Sequence, residues 1–306
     1  MHWRLKGLVQ KGLGCAPGGR RLNNRLQRVF GELRHFERNV AGKVEDWKQS
    51  LRYLGDVGFN LRASVLVEIG TGWYPTLPIC FSLAGVRRVI TYDTVRHLDA
   101  SLTFRMIAAL EAHLDSIAEA CGIHAGEVRE RYQKLLQAKD VYALLKLGDV
   151  EYHAPADARI TQLSSNSVDL VFSNSVMEHV PKDVIEDLMH ESVRILRPGR
   201  LALHNVGCND HYAFMDRGIS FVNYLQFSES RWRWWNNSLQ YQNRLRAPQF
   251  LEMAAKAGLN VIYKQIAVRP GTSDALAKLK LAPEFQRFSP EDLAATSVDF
   301  IAKKPR

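Results

Sequence analysis

Short apolar runs alternate with segments of helical periodicity along most of the chain. The apolar runs that predict strands lie at residues 65–69, 88–92, 150–153, 168–172, 200–206, 259–268 and 297–302. Since helical segments separate most of these runs, the strands are expected to be largely parallel, with helices on both faces of the sheet. The pattern therefore predicts an α/β fold built on a Rossmann-like, seven-stranded, mostly parallel sheet.

Two stretches interrupt this alternation. Residues 101–147 carry two helical patterns, around Leu102–Ala120 and Glu127–Leu147, which is more than a crossover between parallel strands requires. We interpret them as an inserted helical pair that either lies over the strand ends, where ligands bind, or serves packing or dimerisation. Residues 208–246 are rich in aromatic side chains, which either stack on a planar acceptor or form the core of a folded lid. Residues 56–306 are thus predicted to form one domain with two insertions.

The first 55 residues have an amphipathic helical pattern and most of the net charge. Residues 1–52 contain 12 Lys or Arg and 4 Asp or Glu, a balance of +8 out of +9 for the whole chain. The predicted apolar stripe consists of Leu22, Leu26, Val29, Phe30, Leu33 and Phe36. We expect a basic helical extension that either packs on the domain or makes peripheral contact with a membrane or another anionic surface.

The composition is that of a globular protein, with 46% hydrophobic and 24% charged residues. No apolar run approaches the roughly 20 residues of a membrane-spanning helix, and the first residues lack the apolar core of a secretory signal. The four cysteines are widely separated and include no CxxC pair. A reducing cytoplasm is therefore the expected location, and neither a disulfide framework nor a metal site is expected.

The first strand leads into a glycine-rich turn. The run at 65–69 ends at Gly70-Thr71-Gly72, and Pro75 then suits the first turn of a helix. The second strand ends in Asp93, whose carboxylate can accept hydrogen bonds from two ribose hydroxyls. Strand, glycine turn, helix, strand and carboxylate together make half of a nucleotide-binding α/β unit.

Four motifs in order make the chain resemble the class I S-adenosylmethionine-dependent methyltransferases. They are the turn Glu68-Ile69-Gly70-Thr71-Gly72, the acid Asp93, the pair Asp157-Ala158, and a longer run from Ser167-Val168-Asp169-Leu170-Val171 through Met177-Glu178-His179-Val180 to Arg197-Pro198-Gly199. The resemblance implies S-adenosyl-L-methionine as cofactor. It implies cofactor contacts from Glu68, Gly70, Thr71, Gly72, Asp93, Asp157, Ala158 and Asn174.

Two departures from common nucleotide-binding patterns bear on this assignment. Pro75 stands where the GxGxxG turn of a dehydrogenase would place its third glycine, which argues against an NAD enzyme. Tyr74 replaces the third glycine of the methyltransferase turn. We therefore expect Trp73 and Tyr74 to form a bulky rim of the substrate pocket.

A narrower resemblance is to bacterial methyltransferases associated with cell-surface polysaccharide biosynthesis. It rests on Gly72-Trp73-Tyr74-Pro75, Arg96-His97-Leu98, Asp210-His211-Tyr212 and Asn243-Arg244-Leu245-Arg246. It implies methylation of an oxygen atom on a small-molecule or envelope-linked glycan acceptor. The alternatives are a nucleic-acid methyltransferase that uses the basic arm and a cofactor-binding scaffold without catalysis.

His211 is the candidate general base, because it follows the fifth strand at the edge of the sheet where ligands bind. Asp210 either orients His211 in catalysis or only holds the loop. His179, Tyr212 and Arg244 are the further candidates for substrate binding, with pocket lining, lid packing and a structural ion pair as their respective alternatives.

Overall fold

The computed structural model describes residues 2–16, 18–19, 22 and 35–306. Its centre is one seven-stranded sheet with the strand order β3-β2-β1-β4-β5-β7-β6. The strands are β1 (Val65–Ile69), β2 (Arg88–Tyr92), β3 (Val150–His153), β4 (Val168–Asn174), β5 (Leu196–Gly207), β6 (Asn260–Ala267) and β7 (Ser297–Lys303). Strands β1 to β5 pair in parallel, whereas β7 is antiparallel to both β5 and β6. The predicted Rossmann-like, mostly parallel sheet is confirmed.

The central strands are short and buried along their whole length. All five residues of β1 are buried, as expected for a parallel strand covered on both faces. The fifth strand begins earlier than the sequence suggests, because the predicted helix end Arg197-Pro198-Gly199 lies inside β5. The pairing of β4 with β5 shifts there, from Val168 opposite Leu196 to Leu170 opposite Leu201, so this segment forms a bulge.

Helices cover both faces of the sheet. In the described part of the chain they are α1 (Trp3–Cys15), α2 (Phe36–Asp56), α3 (Thr76–Leu83), α4 (Ala100–Leu110), α5 (Leu114–Cys121), α6 (Ala125–Leu136), α7 (Val141–Leu147), α8 (Lys182–Ile195), α9 (Glu229–Trp232), α10 (Ala247–Lys256), α11 (Thr272–Ala277) and α12 (Pro290–Ala294). Short 3-10 helices lie at Glu111–His113, Met177–His179, His211–Phe214, Asn223–Gln226 and Pro283–Phe285.

The inserted segment 101–147 forms four α-helices, α4 to α7, and not the predicted pair. Breaks occur at the 3-10 turn 111–113, at Gly122 and before Asp140, whose side chain caps α7. Helix α2 packs on α3, α4 and α5, and their buried side chains share one core cluster with Leu66 and Val89 of the sheet. These contacts agree with the packing interpretation of the insertion.

The opposite face of the sheet is covered by α8 and α10. Ile185 and Met189 of α8 and Phe250 and Met253 of α10 form a second cluster with the other face of the central strands. The two helices contact each other, and α10 also lies on β6 and β7. Alternate residues of each strand therefore enter different clusters, which fixes the register of the sheet.

A third apolar cluster lies within the aromatic region 208–246. Tyr212, Tyr224 and Trp232 pack there with Trp3 of α1 and with Phe285. The rings of Trp3 and Tyr212 lie 5.5 Å apart, and those of Tyr224 and Trp232 lie 5.8 Å apart. These side chains therefore form the core of a folded layer. This agrees with the interpretation of the aromatic region as a folded lid, and not with stacking on an acceptor.

The N-terminal extension is helical where it is described. Helix α1 lies on the aromatic region, and α2 contributes Phe36, Val40 and Trp47 to the first core cluster. Most of the predicted apolar stripe, from Leu26 to Leu33, lies outside the described residues. The division of the chain at residues 55 and 56 stays a prediction. None of the described helices has the length and apolar character needed to cross a membrane.

Candidate cofactor and acceptor site

The glycine turn after β1 needs its first glycine for packing. Gly70 has a φ of +84°, and a Cβ built there would lie 2.6 Å from Cγ2 of Val176, in the loop after β4. Its N–H donates to the carbonyl of Tyr92 at 2.9 Å. Gly70 therefore joins the turn to its two neighbouring strands, and its N–H is already used within the protein.

The second glycine of the turn faces open space. Gly72 has a φ of +76°, and a Cβ there would meet no atom within 4 Å. Its N–H donates to Oδ2 of Asp93 at 3.1 Å. A ligand can thus approach the backbone closely at Gly72, beside a carboxylate that the same residue holds.

Asp93 is held from two sides at the end of β2. Besides the Gly72 N–H, its Oδ2 accepts a hydrogen bond from the Tyr152 hydroxyl at 3.2 Å. Burial raises the pKa of Asp93 to about 6, although the hydrogen bonds from Gly72 and Tyr152 act in the opposite direction. The Tyr152 hydroxyl in turn accepts from the N–H groups of His97 and Leu98. Tyr152 therefore positions Asp93, a role the sequence did not reveal.

Glu68 lies beneath the turn and is not on its surface. It is 4% exposed, and its Oε2 accepts a hydrogen bond from Thr91 Oγ1 at 2.6 Å. Thr91 in turn contacts the hydroxyl of Thr71. Burial raises the pKa of Glu68 to about 8, and the nearby charge of Asp93 adds to that shift. Glu68 and Thr71 thus form a buried polar network below the turn.

Helix α2 brings two charged side chains to this edge of the sheet. The charge of Lys43 acts on both Glu68 and Asp93 and lowers the pKa of each, in part offsetting the effect of burial. The Lys43 ammonium also lies 4.7 Å from the centre of the Tyr74 ring. Asp46 Oδ2 accepts a hydrogen bond from Asn174 Nδ2 at 3.2 Å, at the end of β4. No local sequence pattern marks either residue, because the contacts join parts of the chain more than 20 residues apart.

The loop after β3 holds Asp157 and Ala158. The Asp157 carboxylate binds the Arg159 guanidinium through both oxygens, and this ion pair lowers the pKa of Asp157. Ala158 is buried against the second core cluster. A cofactor contact for Asp157 would have to coexist with the Arg159 pair.

Two histidines meet where the loops after β4 and β5 come together. The rings of His179 and His211 are 4.9 Å apart, near perpendicular. Nδ1 of His179 lies 2.7 Å from the Tyr241 carbonyl, and since a carbonyl only accepts, Nδ1 is the donor. Nε2 of a neutral His179 therefore keeps its lone pair.

Segment 241–243 organises this corner. The Asn243 side chain donates to the carbonyls of Met177 and Val180 at 2.7 and 2.8 Å, and so clamps the turn that carries His179. The side-chain oxygen of Gln242 accepts a hydrogen bond from the backbone N–H of His211 at 3.3 Å. Both of these Asn243 amide contacts are structural.

Asp210 and His211 have separate environments. The Asp210 carboxylate is fully buried and accepts from the Tyr212 N–H and from Asn223 Nδ2, both at 2.9 Å. These contacts hold the loop, and they do not match the predicted role of orienting His211. Burial, followed by the charges of His179 and Lys6, lowers the pKa of His211 to about 3, so its imidazole is neutral at pH 7.

Comparison with known proteins adds to this geometry. Residues 99–203 match the family described as "Methyltransferase domain", from the N-cap of α4 to the middle of β5. The predicted methyltransferase class is confirmed by this match. The glycine turn and Asp93 precede the matched residues, so their contacts with the cofactor stay predictions.

Solved structures similar to this chain span 80–90% of its length at low identity. A candidate sarcosine dimethylglycine methyltransferase from Galdieria sulphuraria shares 13% identity over 88% of both chains, with a TM-score of 0.47. Phosphoethanolamine N-methyltransferase 2 from Haemonchus contortus shares 18% identity over 85% of this chain and 53% of that one, with a TM-score of 0.46. Geranyl diphosphate C-methyltransferase from Streptomyces coelicolor shares 14% identity over 88% and 83%, with a TM-score of 0.45. A search of the curated proteins gives no match.

Three side chains predicted to bind substrate are buried. Tyr74 is 4% exposed and packs on Phe36 with ring centres 4.9 Å apart, so it is part of the core. Tyr212 is 3% exposed and donates its hydroxyl to the Trp235 carbonyl. Trp73, in contrast, is partly buried at the edge of the first cluster, and its role at the pocket stays a prediction.

Arg244 is the third buried side chain among the substrate-binding candidates, and it is 4% exposed. Its guanidinium donates to the carbonyls of Tyr224 and Phe227 and to the Glu229 carboxylate, and lies 5.0 Å from the centre of the Phe285 ring. The structural alternative therefore holds for Arg244, which stabilises the aromatic layer.

Proposed function

We propose that this methyltransferase transfers the methyl group of S-adenosylmethionine to an oxygen atom of a small-molecule or envelope-linked acceptor, bound beside His179 and His211. The observation that carries the proposal is the pair of imidazoles at the corner where the β4 and β5 loops meet. Ligands of open α/β sheets bind outside the carboxyl ends of the strands, and this corner lies there.

The cofactor fits the neighbouring part of the same edge. Gly72 offers an exposed backbone without a Cβ, and Asp93 offers a carboxylate suited to vicinal ribose hydroxyls. Val176 contacts the glycine turn, and the 3-10 helix that carries His179 begins at the next residue. We therefore expect the acceptor and the methyl donor to lie next to each other.

The protein residues have two tasks in such a transfer. S-adenosylmethionine, when bound, supplies an electrophilic methyl group on a sulfonium. The loops after β4 and β5 hold the acceptor oxygen in line with that methyl group, and a nearby group accepts the hydroxyl proton. His211, the base expected from the sequence, and Nε2 of His179 are the acceptors that this corner offers.

Product analysis tests the proposal. The full-length protein is incubated with S-adenosylmethionine labelled in its methyl group and with separate fractions of envelope glycans, small metabolites and RNA. We expect label in a glycan or small-molecule fraction, linked through oxygen. Label confined to RNA would favour the nucleic-acid alternative, and label on nitrogen or carbon would contradict O-methylation.

We also propose that α1 makes peripheral contact with an anionic membrane from the cytoplasmic side. Its outer face exposes Leu5, Leu8 and Val9 by 54%, 54% and 47%, and Arg4 and Lys11 flank them. An apolar face among basic residues is typical of helices that lie on anionic lipid.

Vesicle sedimentation tests the membrane contact. We expect the full chain to bind vesicles that contain anionic lipid, and Leu5→Ser with Leu8→Ser to reduce binding at least about fivefold. Equal binding to neutral and anionic vesicles, or no binding to either, would contradict it.

A further inference from the structure

Three potential metal ligands converge at the acceptor corner. The ligand atoms of Glu178, His179 and His211 all lie within 4.8 Å of one another. Two of the residues come from the 3-10 helix after β4, and the third begins the 3-10 helix after β5. The cluster is thus assembled by the fold from two separate loops.

Glu178 is the side chain that most needs a partner. It is 2% exposed, and its Oε2 has no hydrogen-bond partner among the residues that the structure describes. Its Oε1 lies against Gly207, 2.8 Å from where a Cβ at that position would be. A buried carboxylate oxygen without a partner is costly, and a bound cation would remove that cost.

The two histidines are arranged as imidazole ligands. His179 donates through Nδ1 to a backbone carbonyl, which is the usual outer contact of a histidine that binds metal through Nε2. His211 is half-buried, and its ring faces His179 at 4.9 Å. Glu178, His179 and His211 thus offer one carboxylate and two imidazoles as ligands.

We propose that Glu178, His179 and His211 bind one divalent transition-metal ion, with open coordination positions that face the acceptor. Two nitrogen ligands favour an ion such as Zn²⁺, Mn²⁺ or Fe²⁺ over Mg²⁺ or Ca²⁺, which prefer oxygen ligands. The sequence contains no CxxC pair and does not predict this metal site.

The inference rests on the proposed function for what the metal does. An ion at this corner would occupy the histidine nitrogens that otherwise accept the proton, so the two histidines would act as ligands and not as bases. It would bind the acceptor oxygen and make its hydroxyl easier to deprotonate, with the proton leaving to solvent. The methyl carbon then forms a bond to that oxygen as its bond to sulfur breaks, and the sulfonium becomes a neutral thioether.

Metal titration of the full-length protein tests the site. After removal of metal with a chelator, Zn²⁺ binding is followed by calorimetry, and Co²⁺ binding by its visible absorption. We expect one ion per chain in the wild type, and at least about tenfold weaker binding in His179→Gln and His211→Gln. The control is His190→Gln, an exposed histidine on α8, which should bind like the wild type.

Glu178→Gln is a further variant, and thermal unfolding monitors whether it folds. If it does not, the two histidine variants still decide the outcome, since His179 is exposed and His211 half-buried. Absence of stoichiometric binding in the wild type, or unchanged affinity in both histidine variants, would overturn the site.

Methyl transfer measured in parallel separates the two proposals. If no ion binds while label still reaches an oxygen acceptor, the metal site fails and the function stands. If an ion binds with the expected dependence on the ligands while label reaches only nitrogen or carbon, the function fails and the metal site stands.

Discussion

The cofactor part and the acceptor part of the site are built in different ways. The cofactor part follows one continuous stretch from β1 through the glycine turn to Asp93. The acceptor part joins residues from three distant segments, at positions 178–179, 211 and 241–243. A local pattern reveals the first kind of site, whereas the second exists only after the chain has folded.

The largest expected effect on ligand affinity is in the cofactor part. Asp93→Ala removes the carboxylate that we assign to the ribose hydroxyls, and we expect about a hundredfold loss of affinity for S-adenosylmethionine, or about 2.8 kcal/mol. Calorimetry with S-adenosylmethionine measures it. Asp157→Ala is the comparison, and because Asp157 is already paired with Arg159 we expect a smaller loss. An equal or larger loss of affinity in Asp157→Ala would contradict the assignment of Asp93 as the main ribose contact.

Replacing each of the two glycines of the turn should lower the free energy of unfolding by a different amount. Gly70→Ala puts a Cβ against Val176 at a positive φ, and we expect a loss of about 3 kcal/mol in the free energy of unfolding. Gly72→Ala meets no atom, so we expect a loss of only about 1 kcal/mol, together with weaker cofactor binding.

Urea unfolding of the double variant Gly70→Ala, Val176→Ala tests whether the clash with Val176 causes the loss of stability. Val176→Ala should recover part of the cost of Gly70→Ala, because it removes the methyl groups that the new Cβ would meet. Strict additivity of the two substitutions would show that the clash is not the cause.

A pH effect separates the buried network from the surface of the turn. Folding raises the pKa of Glu68 from 4.5 to about 8, so the folded state holds a proton that the unfolded chain releases. The free energy of unfolding therefore falls as pH rises between these values. Glu68→Gln cannot titrate, and from pH 6.5 to 8.5 it should gain on the order of 2 kcal/mol relative to the wild type.

Thermal unfolding at several pH values measures that difference. Glu252→Gln is the control, since the pKa of Glu252 is lowered by Lys256 and the group stays ionised throughout this range. A wild type whose stability has the same pH slope as Glu68→Gln would contradict a protonated Glu68.

The smallest expected effect concerns Tyr152. Tyr152→Phe removes one hydrogen bond to Asp93 but leaves the carboxylate in place, so we expect three- to tenfold weaker cofactor binding, or about 1 kcal/mol. The affinity for S-adenosylmethionine measures it. An effect as large as that of Asp93→Ala would mean that Tyr152 itself contacts the cofactor.

The sheet was predictable because its signals are local. Strands β1, β2 and β3 begin and end at the residues that their apolar runs indicate, and β4 and β5 differ only in length. The inserted helices were harder to divide, since their breaks depend on a 3-10 turn at 111–113 and on the cap at Asp140.

The buried site candidates have one feature in common. Tyr74 and Arg244 look like binding residues from their neighbours in sequence, yet their partners lie on other segments. Tyr74 packs on Phe36 of α2. Arg244 binds the Tyr224 and Phe227 carbonyls and the Glu229 carboxylate, and lies on the Phe285 ring. The same holds for what was missed: Lys43, Tyr152 and Glu178 gain their roles from partners on other elements.

One measurement tests the division of labour between the two parts most directly: S-adenosylmethionine affinity and methyl transfer in His211→Gln. We expect cofactor affinity within about twofold of the wild type and a turnover at least about a hundredfold lower, because this side chain belongs to the acceptor part alone. Wild-type turnover, or a loss of cofactor affinity that matches the loss of activity, would contradict the assignment.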